Sequence, residues 1–102
     1  MAAESWEPLL EDGQEKGQVH WLVRAEGGQQ AGFWRIGPEE GAEITYNVVG
    51  TDTFHVVQGE AELETPDGER IELVAGGIYS FPDGFTATWR TRSSFVKFFV
   101  VS

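Results

Sequence analysis

Glycine sets the rhythm of this chain. Glycines at positions 27–28, 37, 41, 50, 59, 68, 76–77 and 84 separate short runs of β-branched and aromatic residues. Glycine interrupts helices and reaches the positive φ that tight turns demand, so runs this short read as strands joined by turns. The spacing predicts strands over residues 19–24, 30–36, 43–49, 53–58, 61–64, 69–73, 78–81, 86–91 and 95–101. So many short strands suggest an all-β sandwich or barrel. Helix is scarce. Residues 7–14 could form a single turn, but Gly13 and Gly17 interrupt it and no apolar stripe accompanies it. Residues 1–18 are the most polar and acidic part of the chain. They are predicted to be a loose arm ahead of a single domain over 19–102.

A chain of 102 residues supports one hydrophobic core. Seven Phe and four Trp need a packed interior, which excludes a disordered chain. Without cysteine there is no disulfide framework, thiolate nucleophile or zinc ribbon. The net charge of −10 would repel phosphate backbones and anionic lipid, so neither nucleic acid nor a membrane is an expected partner. The first residues lack the basic flank and apolar run of a signal peptide. A cytoplasmic protein is therefore expected.

The clearest local unit runs from Glu60 to Leu73. Ala61 and Leu63 alternate with glutamates, then Ile71 and Leu73 alternate with Arg70 and Glu72. Pro66-Asp67-Gly68 supplies the turn. This hairpin should bury one face and leave the other, with Glu60, Glu62, Glu64, Glu69 and Glu72, in water. On either side lie Asp52-Thr53-Phe54-His55-Val56-Val57-Gln58-Gly59 and Gly76-Gly77-Ile78-Tyr79-Ser80-Phe81-Pro82-Asp83-Gly84. Together these segments resemble the two sequence motifs of the cupins, small jelly-roll or double-stranded β-helix barrels. Gly32-Phe33-Trp34, Phe85-Thr86-Ala87-Thr88-Trp89 and Val96-Lys97-Phe98-Phe99-Val100 extend the likeness. From Ala31 onward the chain is similar to short cupins related to the domains of ureidoglycine aminohydrolase. The resemblance implies an all-β jelly-roll barrel.

It also implies where a metal would sit. Metal-binding cupins use two histidines one residue apart, a carboxylate, and a third histidine after the second-motif glycine. Carried over, the carboxylate is Asp52, the paired positions fall within the Thr-Tyr-Asn-Val stretch at 45–48, and the third is Ala87. Only Asp52 offers a ligand of the expected type, so no tightly bound transition metal and no cofactor is expected. Asp52, Glu43 and water could hold a hard cation weakly, but no spacing demands it. With Asp52 facing inward, alternation puts Phe54 and Val56 inside and His55 outside. His20, beside Trp21, also reads as structural.

Such a barrel should gather Trp34, Tyr46, Asp52, Phe54 and Trp89 at its mouth, with Arg35 or Arg90 near the rim. A concave apolar pocket with a few polar groups suits a small polar metabolite. Asp52 would accept a hydrogen bond from it or act as a general base. Lys97 interrupts an apolar strand and reads as an edge charge or a side chain snorkelling to water, with pairing to a carboxylate inside the barrel as the functional alternative. Three functions compete. They are a metal-poor binder of a small polar metabolite, an enzyme on a small nitrogenous compound (ureidoglycine aminohydrolase-like, isomerase or lyase), and a non-catalytic dimeric subunit or regulatory partner. The nearly unbroken apolar runs at 19–23 and 98–101 need cover on both faces, which points to a homodimer.

Overall fold

The computed structural model describes residues 6–11, 13–25 and 28–102. Among them the secondary structure is all strand: β1 (Glu7–Glu11), β2 (Gln14–Arg24), β3 (Gln30–Ile36), β4 (Ile44–Asn47), β5 (Asp52–Gln58), β6 (Glu60–Glu64), β7 (Arg70–Val74), β8 (Ile78–Phe81), β9 (Thr86–Thr91) and β10 (Phe95–Val101). A six-stranded sheet runs β1-β2-β3-β10-β5-β8, and a four-stranded sheet runs β4-β9-β6-β7. Every neighbouring pair is antiparallel. The last strand lies between β3 and β5, and β9 lies between β4 and β6. Such crossovers between two packed antiparallel sheets make a jelly roll, the architecture the sequence predicts.

Alternation supplies the core. Val19, Trp34, Phe54, Phe95 and Phe99 point in from the larger sheet, and Leu63, Leu73, Ala87 and Trp89 from the smaller. Trp89 is central, with ring centroids 5.2 Å from Trp34 and 5.0 Å from Phe95, both edge to face. Burying each such ring contributes about 2–3 kcal/mol, so these aromatics dominate the cohesion of the barrel. As alternation requires, Phe54 and Val56 are buried while His55 is exposed.

The loose arm expected over 1–18 is not what the described part of that segment forms. Glu7–Glu11 and the start of Gln14–Arg24 pair as a hairpin at the edge of the large sheet, so the sheet runs straight through the boundary placed at residue 18. Where a helical turn was considered within 7–14, residues 7–11 are strand. The physical reason lies in the edge position. Pro8 needs no ladder donor on an outermost strand. Leu9 packs against the core while Leu10 stays exposed, so the apolar signal is only one residue deep. Glu11 pairs with Gln14, and Gly13 just before Gln14 takes φ +78°, as a tight turn requires.

The glutamate face of the β6–β7 hairpin also differs from the expectation of a wet surface. Glu62 is only 6% exposed. Arg90 and Arg92 both donate to its carboxylate. Arg90 also reaches Glu43 and Glu64, and Arg92 reaches Glu72. These bonds hold the Glu64 and Glu72 carboxyls below their ordinary range. Arginines from β9 and the turn after it thus cross-link the outer face of the small sheet.

Candidate functional site

The site begins with a parity that the last strand imposes. Lys97 lies beside Trp34 on β3 and Val56 on β5, both inward-facing, so its side chain enters the barrel between Phe95 and Phe99. It is only 6% exposed. Its ammonium lies 3.5 Å from Asp52 Oδ2, on the first residue of β5. The same nitrogen is 4.0 Å from the ring centroid of Phe54, 5.2 Å from those of Trp34 and Trp89, and 5.3 Å from that of Tyr46. A buried ammonium is costly unless negative potential surrounds it. One carboxylate and four aromatic rings supply that potential here.

Asp52 is the second element, 8% exposed. Tyr46, on β4 of the opposite sheet, donates its hydroxyl proton to Asp52 Oδ2. Burial, then the charge of Asp52, then this bond push the Tyr46 phenol well above its ordinary value, so it stays a neutral donor. One carboxylate oxygen therefore serves both Tyr46 and Lys97. The other, Oδ1, is buried and has no hydrogen-bond partner among the described residues.

These groups open onto a cavity of about 260 Å³, whose wall includes Trp34, Tyr46, Asp52, Trp89, Lys97 and Lys16. Four of the five site residues predicted from sequence thus share one wall. Phe54 lies behind it, packed on the lysine and 1% exposed. The cation at Asp52 is neither of the two arginines placed near the rim. Arg90 is engaged with the glutamates outside the small sheet, and Arg35 meets Gln18 and the Trp6 ring. Lys97 is the partner, the alternative that the sequence left open beside an edge charge or a side chain in solvent. Alternation could not choose its face, because Phe95 and Phe99 on one side of the strand are matched by Val96, Phe98 and Val100 on the other. Lys16 was missed with the arm. It is buried and donates to the Thr45 carbonyl oxygen at 3.3 Å, while its own carbonyl accepts from Trp34 Nε1 at 2.8 Å.

The donor set does not fit the transition metal of metal-binding cupins. At the ligand positions carried over from that family, Tyr46 is a half-buried phenol committed to Asp52, and Ala87 offers no donor. The charge a metal would bring to the carboxylate is supplied by Lys97. Among the described residues no three His, Asp or Glu side chains come together as a ligand group. Glu43 pairs with Arg90 and does not join Asp52 in the hard-cation site considered above.

A family model described as the EutQ-like cupin domain matches residues 23–99. Solved structures agree in fold. A putative ethanolamine utilization protein Q from Salmonella typhimurium superposes with a TM-score of 0.71 at 18% identity, over 97% of this chain and 94% of that one. The EutQ protein of Clostridium difficile gives 0.70 at 14% identity, over 90% and 73%. A protein of unknown function from Rhizobium leguminosarum gives 0.68 at 25% identity, over 81% and 77%. No curated protein matches.

Proposed function

The chain belongs to the family of EutQ-like cupin domains, and we propose that the mouth of its barrel binds a small polar metabolite without a metal. The observation that carries this reading is Asp52 Oδ1, a buried acceptor on a cavity-lining residue with no hydrogen-bond partner among the described residues. An acceptor left in that state costs about 1–3 kcal/mol, which a ligand N–H or O–H would relieve. The cavity, about 260 Å³, falls just below the roughly 300–1,000 Å³ typical of drug-sized sites, so the ligand is small. Trp34, Tyr46 and Trp89 offer its apolar part a surface. The test is a calorimetric or NMR screen of small alcohols, amides and acids against wild type and Asp52→Asn. Binding that weakens in a folded Asp52→Asn variant supports the reading. A screen without binders, or binders indifferent to the substitution, overturns it.

We further propose a second copy of the chain as the protein partner. Strands β3, β10, β5 and β8 contain a single carboxylate, Asp52, and it faces inward. Their outer face presents Phe33 and Phe98 in ring contact at 5.4 Å, flanked by Val96, Val100, His55 and the exposed Ile78. In a molecule of net charge −10, this is the face on which two copies can meet without opposing carboxylates. The acidic remainder accords with a cytoplasmic protein that has neither nucleic acid nor membrane as a partner. Among the described residues no helix is long and apolar enough to cross a membrane.

A further inference from the structure

The cavity wall holds a second unsatisfied group, of the opposite kind. Trp21 lines the same cavity from β2, and its indole Nε1 is buried without a hydrogen-bond partner among the described residues. The other two tryptophans of the cavity wall are already bonded, Trp34 Nε1 to the Lys16 carbonyl and Trp89 Nε1 to Thr91 Oγ1. The Trp21 ring is held in place by the edge of Phe99, centroids 5.7 Å apart, and by the Arg24 guanidinium 4.4 Å above it. On the inner face of the large sheet Trp21 stands in register with Gly32, Phe99 and Phe54, one inward position from the row of Val101 and Asp52. The wall of one cavity thus includes two residues that each carry a buried atom without a hydrogen-bond partner among the described residues, a donor on β2 and an acceptor on β5.

We infer that the ligand is bifunctional, with an O–H or N–H donor at one end for Asp52 Oδ1 and a carboxylate or carbonyl acceptor at the other for Trp21 Nε1. The inference rests on the binding reading above and narrows it to hydroxy or amido acids and their close relatives. The charges of the wall point the same way. Both lysines of the chain, Lys16 and Lys97, stand in it, and all five arginines lie elsewhere. The charged side chains of the wall are Lys16, Lys97 and Asp52, and with Lys97 paired to Asp52 they sum to one positive charge, which favours an anionic end over an ammonium one. A Cβ at Gly32 would collide with the His20 carbonyl and crowd the Trp21 backbone, so β2 and β3 approach closely beside Trp21.

The test uses the full chain with 15N-labelled tryptophan and terminally hydroxylated acids of two to four carbons. The unsubstituted acids and the alcohols of the same length are the controls. The Trp21 indole N–H resonance is identified by its loss in Trp21→Phe, which keeps an aromatic ring and removes the donor. Hydroxy acids and plain acids should move this resonance, and alcohols should not. The best hydroxy acid should bind about tenfold more tightly than either control, the worth of one neutral-to-charged hydrogen bond. Trp21→Phe should weaken acids about tenfold, by the same arithmetic, and leave alcohols unchanged. Alcohols that bind as well as hydroxy acids, with a motionless Trp21 resonance and sensitivity to Asp52→Asn, would overturn this inference and leave the binding reading standing. Binding by no member of any series overturns both.

Discussion

At the scale of the residue, this molecule turns on a lysine placed where a fatty side chain would be expected. Lys97 is tolerated because Asp52 and four rings surround it, so its removal should hurt more than an apolar replacement suggests. Lys97→Met leaves Asp52 buried and uncompensated, and should cost about 3–5 kcal/mol in urea unfolding. Adding Asp52→Asn should recover a large part of that loss. If the double variant is as unstable as the sum of the singles, the two groups are not coupled. Tyr46 makes the second residue-level prediction. Its folded-state pKa is raised, so its contribution is complete below the ordinary tyrosine value of 10.0. Above that pH the unfolded chain releases the proton while the folded one keeps it. Stability should then fall by about 1.4 kcal/mol per pH unit. Tyr46→Phe should lack that part of the alkaline slope in pH-dependent denaturation, and an unchanged slope would count against a neutral, buried Tyr46.

At the scale of the element, turns decide whether the strands meet in register. Gly59 has φ +88°, and a Cβ there would run into the Ser94 carbonyl, whereas Gly68 has φ +91° with open space around it. Gly68→Ala should therefore cost only the conformational penalty, about 1–2 kcal/mol. Gly59→Ala must also push apart the turn between β5 and β6 and the strand that begins at Phe95. It should lower the midpoint of thermal unfolding clearly further, and equal losses would show that the close approach is not rigid. The strand positions were legible because these turns are local chemistry. Residues 30–36, 78–81, 86–91 and 95–101 begin and end in the fold where glycine, proline and the apolar runs put them. Strand β1 was not legible, because a polar edge strand with proline satisfies its backbone on one side only and carries little apolar pattern.

At the scale of the whole molecule, charge is sorted by face. The small sheet carries the glutamate–arginine lattice outside, and the strands β3, β10, β5 and β8 are bare of outward carboxylates. Light scattering coupled to size exclusion should find twice the chain mass, and Phe98→Glu, at the centre of the bare face, should give a folded monomer. A wild-type monomer at micromolar concentration would remove the second copy as a partner.

The sequence by itself determined the class of fold, the turn positions, the inward parity of Asp52 and Phe54, and the want of metal ligands at the positions where metal-binding cupins hold them. Each of these is written in local spacing or in a motif. Only the tertiary structure decided which face Lys97 takes. The run Phe95–Val101 is apolar on both sides, so period-two alternation has no contrast to read until pairing with β3 and β5 fixes it. The same holds for Lys16, Trp21 and the lone Asp52 oxygen. Whether a buried polar atom has a partner is a property of several strands packed together.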